Sequence, residues 1–519
     1  MRKIWIFTCF LTLIVLVGCN NSSDSTAPNS SEGVVEGGGE LIYAINTQPP
    51  TIDPVMSTAA ATRDVARNIF ETLVTLDSKY EAVPMLAESW EASDDNKTYT
   101  FKLREGVIFH NGNEMIAEDV VASMNRWKGM SSTGQSLLEN AEFIEVDDYT
   151  VELQLEEPSI FAVSILAGTT QFAGIMPKEI IEAASAEGVQ EYVGTGPFEF
   201  AEWKQDQYIH LTKYDGYQSL DSPTDGLGGK KEALVDDLYF QIITDPSTRL
   251  SGIQTEQYDI GFGYEPDMYE TLDSNPNLTV HSPLAEYIAL VFDKTDGVFT
   301  DVKMRQAVNA AIDLEEVAKA ALVNNYGMGS SYMFLENSSW YTDAGESSYY
   351  EYDPEKAERL LEEAGYNGEE ITFLTTREYS YMFNGANVIL EQLKAVGMNV
   401  NLQVYDWATV VSMRNDPEQW DLFITGLPPT ITPIEQLFLS ETWVDGPEDE
   451  ESQAQLQAIV QADSQEEAVK KWVTLQEYYW NILPIIKIAD SPDILASTDK
   501  VQGLEYLNGP ILWNTSVGK

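Results

Sequence analysis

The positions of the cysteines constrain most strongly how this 519-residue chain can fold. Only Cys9 and Cys19 are present, so nothing after residue 19 can form a disulfide. A chain of this length can fold without disulfides because large domains bury a large fraction of their surface in a hydrophobic core. The same distribution excludes a thiol nucleophile anywhere in the body of the chain.

The first eighteen residues have the pattern of an export signal. Arg2 and Lys3 precede the apolar run IWIFTCFLTLIVLV at 4–17. This run is shorter than the roughly 20 apolar residues of a transmembrane helix, so we predict a removable signal peptide over 1–18. The stretch LVGC, which ends at Cys19, resembles the lipobox of bacterial lipoproteins. That resemblance implies that Cys19 is lipidated; the alternative is an ordinary thiol in an ordinary signal sequence.

The segment after Cys19 is predicted to be a tether. Residues 19–39 are rich in Ser, Asn and Gly, a composition that cannot bury a core and is typical of flexible linkers. Cys9 would be lost with the signal peptide. Together these features predict a protein held by a lipid anchor at the outer face of the cell membrane.

The charge excludes one large class of partners. The chain carries 84 acidic and 30 basic residues, a formal net charge of −54. This balance excludes binding to a nucleic-acid backbone as the main task of the protein. It also gives no attraction to anionic lipid, so any membrane association must come from the lipid anchor. The surplus of acid suits a solvated surface, adaptation to salty or alkaline surroundings, or a cleft that attracts cationic ligands. Charge alone does not separate these three interpretations.

Hydrophobic periodicity predicts a mixed α/β fold without a fixed repeat. Strands are expected at 41–46, 98–104, 235–243 and 258–263, and an amphipathic helix is expected over 63–74. The first half of the chain also contains a hairpin strand near 146–157, a helix at 117–127 and a helix in PSTRLSGIQTE.

The second half contains clearer helix boundaries. Asp353 and Pro354 begin a helix that Gly365 ends, which is the usual placement of a cap, a first-turn proline and a C-terminal glycine. Asp301 is a second predicted N-cap, and Ser464 with Glu467 has the capping-box spacing. The order strand 371–376, helix 384–397 and strand 398–406 predicts two parallel strands joined by a helical crossover.

Motifs for catalysis, metals and cofactors are missing from the sequence. His110, His210 and His281 are far apart, and there is no HExxH or Cys/His cluster. There is no GxSxG elbow, GLGGKKEA lacks the spacing of a phosphate loop, and GTGPFEF is not a dinucleotide fingerprint. We therefore predict no enzyme activity, no metal and no cofactor, although 84 acids leave a chance glycosidase pair open.

Several stretches together resemble the large extracytoplasmic solute-binding proteins of ABC importers, the peptide/nickel/opine group called family 5. They run in the family's order over nearly the whole chain after the tether. The stretches are TIDP (51–54), IFETLVTLD (69–77), PMLAESWEASDDNKTYTFKLREGVIFHNGNEMIAEDVVASMNR (84–126), GTGPFEF, VKMRQAVNAAID, YDPEKAERLLEEAGY, LKAVGMNVNLQ and QWDLFITG.

The resemblance implies a fold of two α/β lobes, a class II periplasmic-binding-protein-like architecture of the large three-subdomain type, with a discontinuous first lobe. The ligand is buried between the lobes when they close. The implied divisions are lobe I at 40–285 with an extra subdomain at about 55–185, lobe II at 286–489, and a C-terminal return to lobe I at 490–519.

The resemblance also implies candidate ligand contacts. In dipeptide and oligopeptide binders an aspartate after the QWDLFITG-like strand pairs with the ligand's ammonium, but here the stretch GLPPTITPIEQ has no aspartate and Thr430 lies near that position. Arg377 is the nearest candidate for a carboxylate anchor; it could equally pair with a neighbouring acid. Further candidates are aromatic or polar, and core filling is the alternative role for the aromatic ones. They are Tyr379, Tyr381, Trp407, Gln48 and Trp513.

The implied function is the substrate-binding component of an ABC importer that captures a peptide or peptide-like solute, such as an opine or a glutathione-like molecule. The partners would be a permease with its ATPase, and the protein would be a monomer. Two alternatives stay open at this stage: a secreted hydrolase acting on sugars or peptides, and a surface sensor or pheromone receptor on the same fold. The scarcity of histidine argues against nickel-complex uptake without excluding a metal held by an organic chelator.

Overall fold

A computed structural model describes residues 38–333, 335–439, 443 and 449–518. The predicted signal peptide, Cys19 and nearly all of the predicted tether lie outside the described residues, so those predictions remain untested.

The body of the chain alternates helices and strands. The strands are β1 (Glu40–Ile45), β2 (Val74–Leu76), β3 (Ala82–Pro84), β4 (Ala87–Ala92), β5 (Thr98–Leu103), β6 (Glu142–Asp147), β7 (Thr150–Gln154), β8 (Phe198–Lys204), β9 (Tyr208–Lys213), β10 (Asp237–Ile242), β11 (Ile260–Phe262), β12 (Leu278–His281), β13 (Leu284–Phe292), β14 (Glu370–Thr376), β15 (Asn399–Tyr405), β16 (Leu422–Leu427), β17 (Ile485–Pro492), β18 (Leu495–Thr498), β19 (Val501–Gln502), β20 (Glu505–Tyr506), β21 (Pro510–Ile511) and β22 (Ser516–Val517). The helices are α1 (Ala60–Ala66), α2 (Ala117–Met130), α3 (Ser132–Leu137), α4 (Ala162–Leu166), α5 (Lys178–Glu182), α6 (Pro246–Gln254), α7 (Tyr269–Asp273), α8 (Val302–Ala311), α9 (Leu314–Leu322), α10 (Glu346–Tyr349), α11 (Pro354–Ala364), α12 (Ser380–Ala395), α13 (Trp407–Met413), α14 (Glu450–Val460) and α15 (Gln465–Ile482).

A seven-stranded mixed sheet forms the centre of lobe I. Its strand order is β12-β18-β11-β1-β10-β9-β8, and β1 is parallel to both β10 and β11. Because β18 comes from the end of the chain and pairs antiparallel with both β11 and β12, the C-terminal segment closes this sheet. Lobe I is therefore built from two distant parts of the sequence.

A five-stranded sheet, in the order β15-β14-β16-β13-β17, forms the centre of lobe II. Strands β14 and β15 are parallel in register Glu370↔Asn399 to Thr376↔Tyr405, and α12 connects them, which confirms the predicted crossover unit. Most residues of the inner strands β13 and β16 are buried, and the first three residues of β13 are half-buried; this burial is expected for a sheet covered on both faces.

A four-stranded antiparallel sheet, β4-β5-β7-β6, forms a separate layer under α2. All of its strands lie within the range predicted for the extra subdomain. The alternating pattern of TYTFKLR appears in β5 as alternating burial, with Tyr99, Phe101 and Leu103 facing the core.

The chain crosses between the two large sheets at two adjacent places. One crossing joins β12 to β13, and the other joins β17 to β18. The crossings are held together because the Asp493 backbone N–H donates to the Pro283 carbonyl at 2.9 Å. The predicted boundaries 285/286 and 489/490 lie inside β13 and β17, a few residues from these crossings; the exact division remains a prediction.

The caps predicted from sequence are present. The Asp353 carboxylate accepts from the Lys356 backbone N–H and Gly365 ends α11 in the left-handed conformation, with φ 76°. Asp301 caps α8 in the same way, and the Ser464 side chain accepts from the Glu467 backbone N–H at the start of α15. Local polar chemistry therefore sets these helix ends, as their sequence indicated.

The prediction of one amphipathic helix over 63–74 is wrong. Helix α1 ends at Ala66, and the Asn68 side-chain amide donates to the carbonyl of Asp64 at 2.8 Å. A side chain that binds the preceding backbone in this way competes with continuation of the helix. Ile69 and Phe70 are nevertheless buried, because the turn after α1 places them in the core.

Candidate functional site

A cavity of about 510 Å³ lies between the two lobes, beside the chain crossings. We call it the interlobe cavity. Lobe I contributes side chains from α1, from the 168–170 loop and from the C-terminal segment, and lobe II contributes the loop that follows β16. The polar or charged lining residues are Thr58, Arg63, Thr133, Thr169, Thr170, Thr430, Glu435, Gln436, Asp493, Tyr506 and Asn508.

Asp493 places a half-buried carboxylate at one of the chain crossings. The Tyr506 hydroxyl donates to its Oδ2 at 2.9 Å. Burial raises the pKa of Asp493 to about 6, against the lowering effect of Tyr506 and Arg63. Because burial makes ionisation of this carboxylate unfavourable, a cationic partner would stabilise its charged form.

Glu286, on β13, is a second half-buried carboxylate near the same crossing. Burial raises the pKa of Glu286 to about 7, the Tyr381 hydroxyl opposes this shift, and the charge of Asp493 adds to it. The Glu286 carboxylate lies directly over Gly426, where a Cβ atom would come within 1.9 Å of Oε2. Glycine at this position is therefore required for the observed placement of Glu286. We call Glu286 and Asp493 the hinge carboxylates.

Arg63 is a cationic side chain in the lining of the interlobe cavity. Its Nε donates to the carboxylate of Asp64 at 2.8 Å, so most of its charge is balanced within lobe I. Burial acts to lower the pKa of Arg63, but Asp64 and its acidic neighbours hold it above the usual value. The neighbourhood of the crossings consequently has more carboxylate than cationic charge.

Three predicted aromatic residues form one cluster on lobe II. The ring of Tyr379 is 5.6 Å from that of Trp407 and 6.1 Å from that of Tyr381. Tyr379 is exposed, whereas Trp407 and Tyr381 are half-buried. Of the three, Tyr381 reaches a hinge carboxylate, Glu286.

The other predicted site residues are dispersed. Thr430 lines the interlobe cavity and donates to the Met333 sulfur at 3.5 Å. Arg377 is exposed, and its guanidinium lies 4.5 Å from the centre of the Phe383 ring. Gln48 contacts the β8–β9 turn, where its amide donates to Gln205 at 2.8 Å. Trp513 is buried within lobe I, with the Lys231 ammonium 4.6 Å from its ring centre. A ligand contact by any of them remains a prediction.

Sequence reasoning missed the hinge carboxylates, although the sequence contains a signal for one of them. Glu286 is an acid in the otherwise apolar strand LAEYIALVF. Lys487 gives the same signal in β17: it is fully buried, and its ammonium lies 2.6 Å from Asp490 and donates to the Ser331 carbonyl at 2.7 Å. A charge inside a buried strand indicates a specific partner or ligand.

The raised pKa of Glu286 predicts a pH-dependent stability. Above about pH 7 the folded protein holds this carboxylate ionised at a cost, and that cost disappears as the pH falls and the folded form takes up a proton. Glu286→Gln should therefore be more stable than the wild type at pH 8, by about 1–2 kcal/mol once screening of a partly exposed group is allowed for. The difference should shrink towards pH 5. Urea unfolding of both proteins at the two pH values measures it, and a difference that does not vary with pH would contradict the assignment.

The described residues contain no group of three or more His, Cys, Asp or Glu side chains arranged to hold a metal ion. In the same part of the chain, no helix combines the length and apolar character needed to cross a membrane.

Two α/β lobes, two adjacent crossings and a cavity between the lobes, lined by both polar and apolar residues, define a two-lobed binding protein. Comparison with known proteins gives the family. Residues 81–443 match the family described as "Bacterial extracellular solute-binding proteins, family 5 Middle". The chain belongs to this family.

Individual relatives extend the similarity over most of the chain. It is 30% identical over 491 residues to the "Probable peptide ABC transporter periplasmic-binding protein y4tO" of Sinorhizobium fredii (strain NBRC 101917 / NGR234), covering 89% of this chain and 90% of that protein. It is 28% identical over 438 residues to the "Oligopeptide-binding protein AppA" of Bacillus subtilis (strain 168), covering 79% and 77%. Among solved structures, HbpA2 from Haemophilus parasuis superposes with a TM-score of 0.79 at 23% identity, over 93% of this chain and 100% of that one.

The two-lobe fold predicted from the sequence resemblance is therefore confirmed. The family and its relatives are extracytoplasmic binding proteins rather than enzymes. The chain is a solute-binding protein, the substrate-binding component of an importer.

Proposed function

We propose that this protein captures a peptide or peptide-like solute with a free ammonium group in the interlobe cavity and delivers it to an ABC permease and its ATPase. The observation that supports this proposal most directly is the pair of hinge carboxylates beside the cavity. The peptide and oligopeptide names of the relatives from Sinorhizobium fredii and Bacillus subtilis favour the same class of ligand.

The chemistry of the cavity suits such a ligand. Its volume, about 510 Å³, lies within the range of small-molecule sites. Threonine hydroxyls, including that of the half-buried Thr430, can form hydrogen bonds with the peptide groups of the ligand. Leu284, Leu427 and Ile431 offer apolar contact to the ligand's side chains. Near the position where peptide-binding relatives are expected to have an aspartate, this chain has Thr430 and no aspartate, and the hinge carboxylates would supply the missing negative charge.

The finer biological setting is part of the same proposal. Lipidation at Cys19 would place the protein at the outer face of the membrane, and the tether at 19–39 would let a monomer open and close beside its permease. No reaction is required: closure around the solute creates the surface that the permease recognises.

Calorimetric titration with matched tripeptides tests the proposal. A protein without residues 1–39 should bind Ala-Leu-Ala saturably, and N-acetylated Ala-Leu-Ala should bind at least tenfold more weakly because it has no ammonium to pair with the hinge carboxylates. The free peptide at 100 times its dissociation constant should add about 2.7 kcal/mol to the free energy of unfolding. Equal binding of the free and the acetylated peptide would show that the ligand's ammonium is not recognised. If no peptide in a broad set binds to the protein or stabilises it, the solute is not a peptide.

A further inference from the structure

A second, smaller cavity lies inside lobe I and adjoins the interlobe cavity. We call it the lobe I cavity. Its volume is about 40 Å³, and Gly168 and Thr169 line both cavities. A space of this size admits a few water-sized groups. The other polar lining residues are Arg67, Glu71, Thr72, Thr75, Lys231 and Trp513.

Two buried donors at the lobe I cavity have no hydrogen-bond acceptor among the residues that the structure describes. Trp513 is 1% exposed and Arg67 is 6% exposed. Neither the indole Nε1 of Trp513 nor the Nε of Arg67 has a hydrogen-bond partner. Buried N–H groups are almost always satisfied, so an unsatisfied pair that lines one cavity indicates an acceptor bound there.

The acids near the cavity do not provide that acceptor. Glu71 already accepts from the Lys231 ammonium at 3.0 Å, the Tyr217 hydroxyl at 2.9 Å and the Thr195 hydroxyl at 3.1 Å. Both carboxylate oxygens of Glu71 therefore already accept hydrogen bonds, from Lys231 and from two hydroxyls, and neither is bonded to Trp513 or Arg67.

The charge at the lobe I cavity is positive. Glu71 balances Lys231, while the terminal nitrogens of Arg67 donate to the carbonyls of Leu507 and Asn508, which are neutral. Burial and the neighbouring Arg63 lower the pKa of Arg67 to about 10, which still leaves it protonated at neutral pH. In a chain with a net charge of −54, a buried position with surplus positive charge is suited to a small anion rather than to water alone.

We propose that the lobe I cavity is a carboxylate subsite: the carboxylate of a solute in the interlobe cavity passes Gly168 and Thr169 and accepts hydrogen bonds from Trp513 Nε1 and Arg67 Nε. This inference rests on the proposed function, because it assumes that the solute lies between the lobes. It extends that function by assigning the two charged ends of the solute to different places, with its ammonium at the hinge carboxylates and its carboxylate inside lobe I.

The first test uses acetate and does not depend on the identity of the solute. In protein labelled with ¹⁵N at the tryptophan indoles, the Trp513 signal is assigned as the one absent from Trp513→Phe, a change that keeps an aromatic ring beside Lys231. Titration with sodium acetate against sodium chloride at equal ionic strength should shift this signal saturably. The signal assigned through Trp420→Phe, whose indole donates to the Arg414 carbonyl in lobe II, is the control and should not move. An unmoved Trp513 signal at 100 mM acetate would overturn the subsite and leave water as the occupant.

The second test separates the subsite from the proposed function. A tripeptide with a free C-terminal carboxylate should bind at least tenfold more tightly than its C-terminal amide, and Trp513→Phe should reduce that preference several-fold. If both forms bind equally, the subsite is wrong while peptide capture stands. If no peptide binds but acetate shifts the Trp513 signal, peptide capture fails and the anion subsite stands.

Discussion

Replacing Arg126 with methionine is expected to lower the free energy of unfolding by about 3–5 kcal/mol. The Arg126 guanidinium makes a two-pronged contact with Asp53, with nitrogen–oxygen distances of 3.0 and 2.5 Å. Both side chains are largely buried, at 9% and 0% exposure. Methionine would fill much of the volume but leave the Asp53 carboxylate without its cation, and an uncompensated buried charge is among the largest single costs a fold can suffer.

This effect should be specific to the buried pair. The matched control is Arg359→Met, which makes the same chemical change at an exposed arginine 3.9 Å from Asp353 and should cost less than about 1 kcal/mol. Urea unfolding followed by circular dichroism measures both variants. A cost for Arg126→Met no larger than that for Arg359→Met would show that the carboxylate of Asp53 is adequately held by backbone donors such as the Val189 N–H, which lies 2.9 Å away.

The Arg126–Asp53 contact also illustrates why the resemblance to a family predicted the two-lobe fold correctly. Asp53 lies in TIDP and Arg126 ends the 84–126 block, two of the stretches that indicated the family. Their pairing joins the loop after β1 to α2, so both stretches form one piece of scaffold. Short sequence patterns also predicted helix ends correctly where neighbouring residues determine them, as at the Asp353 cap and at Gly365, which ends α11.

Prediction was weaker where the outcome depends on contacts between distant residues. The hydrophobic pattern of 63–74 suits a helix, but the chain turns after Ala66 because Asn68 binds the backbone and the core takes Ile69 and Phe70 from a turn. The Asn68 contact is local, but the contact that holds the turn in place is not: the Gly196 backbone N–H donates to the Ile69 carbonyl at 2.9 Å, and a short-range pattern does not contain that contact.

The site shows the same limit more clearly. Glu286 and Asp493 are far apart in sequence and become neighbours only because the two chain crossings lie side by side. A family resemblance assigns site residues position by position, so it indicated Thr430 and Arg377. It does not indicate a carboxylate on a different strand that could replace the missing aspartate. In hindsight, an acid in the apolar strand LAEYIALVF was the available signal.

Replacing both hinge carboxylates, as Glu286→Gln with Asp493→Asn, is expected to weaken binding of a free tripeptide by about 10- to 100-fold. Loss of a hydrogen bond to a charged group costs about 1.5–3 kcal/mol. The affinity of the wild type should also rise between pH 5 and pH 8, because protonated carboxyls with pKa values of about 7 and about 6 do not attract an ammonium. Binding near pH 6.5 should then release protons, which calorimetry in buffers of different ionisation enthalpy detects.

The amide variants keep the shape of the site, so they separate charge from packing. Since ionising these half-buried carboxyls costs folding stability, the variants should be at least as stable as the wild type at pH 8. They should nevertheless bind more weakly, which is the combination expected of groups kept for function. Asp267→Asn, at an exposed position in lobe I, removes one carboxylate charge from the surface and should leave both properties unchanged. Wild-type affinity in the double variant, or an affinity for the free tripeptide that does not depend on pH, would show that the hinge carboxylates do not contact the ligand's ammonium and that the interlobe cavity selects its solute by other groups.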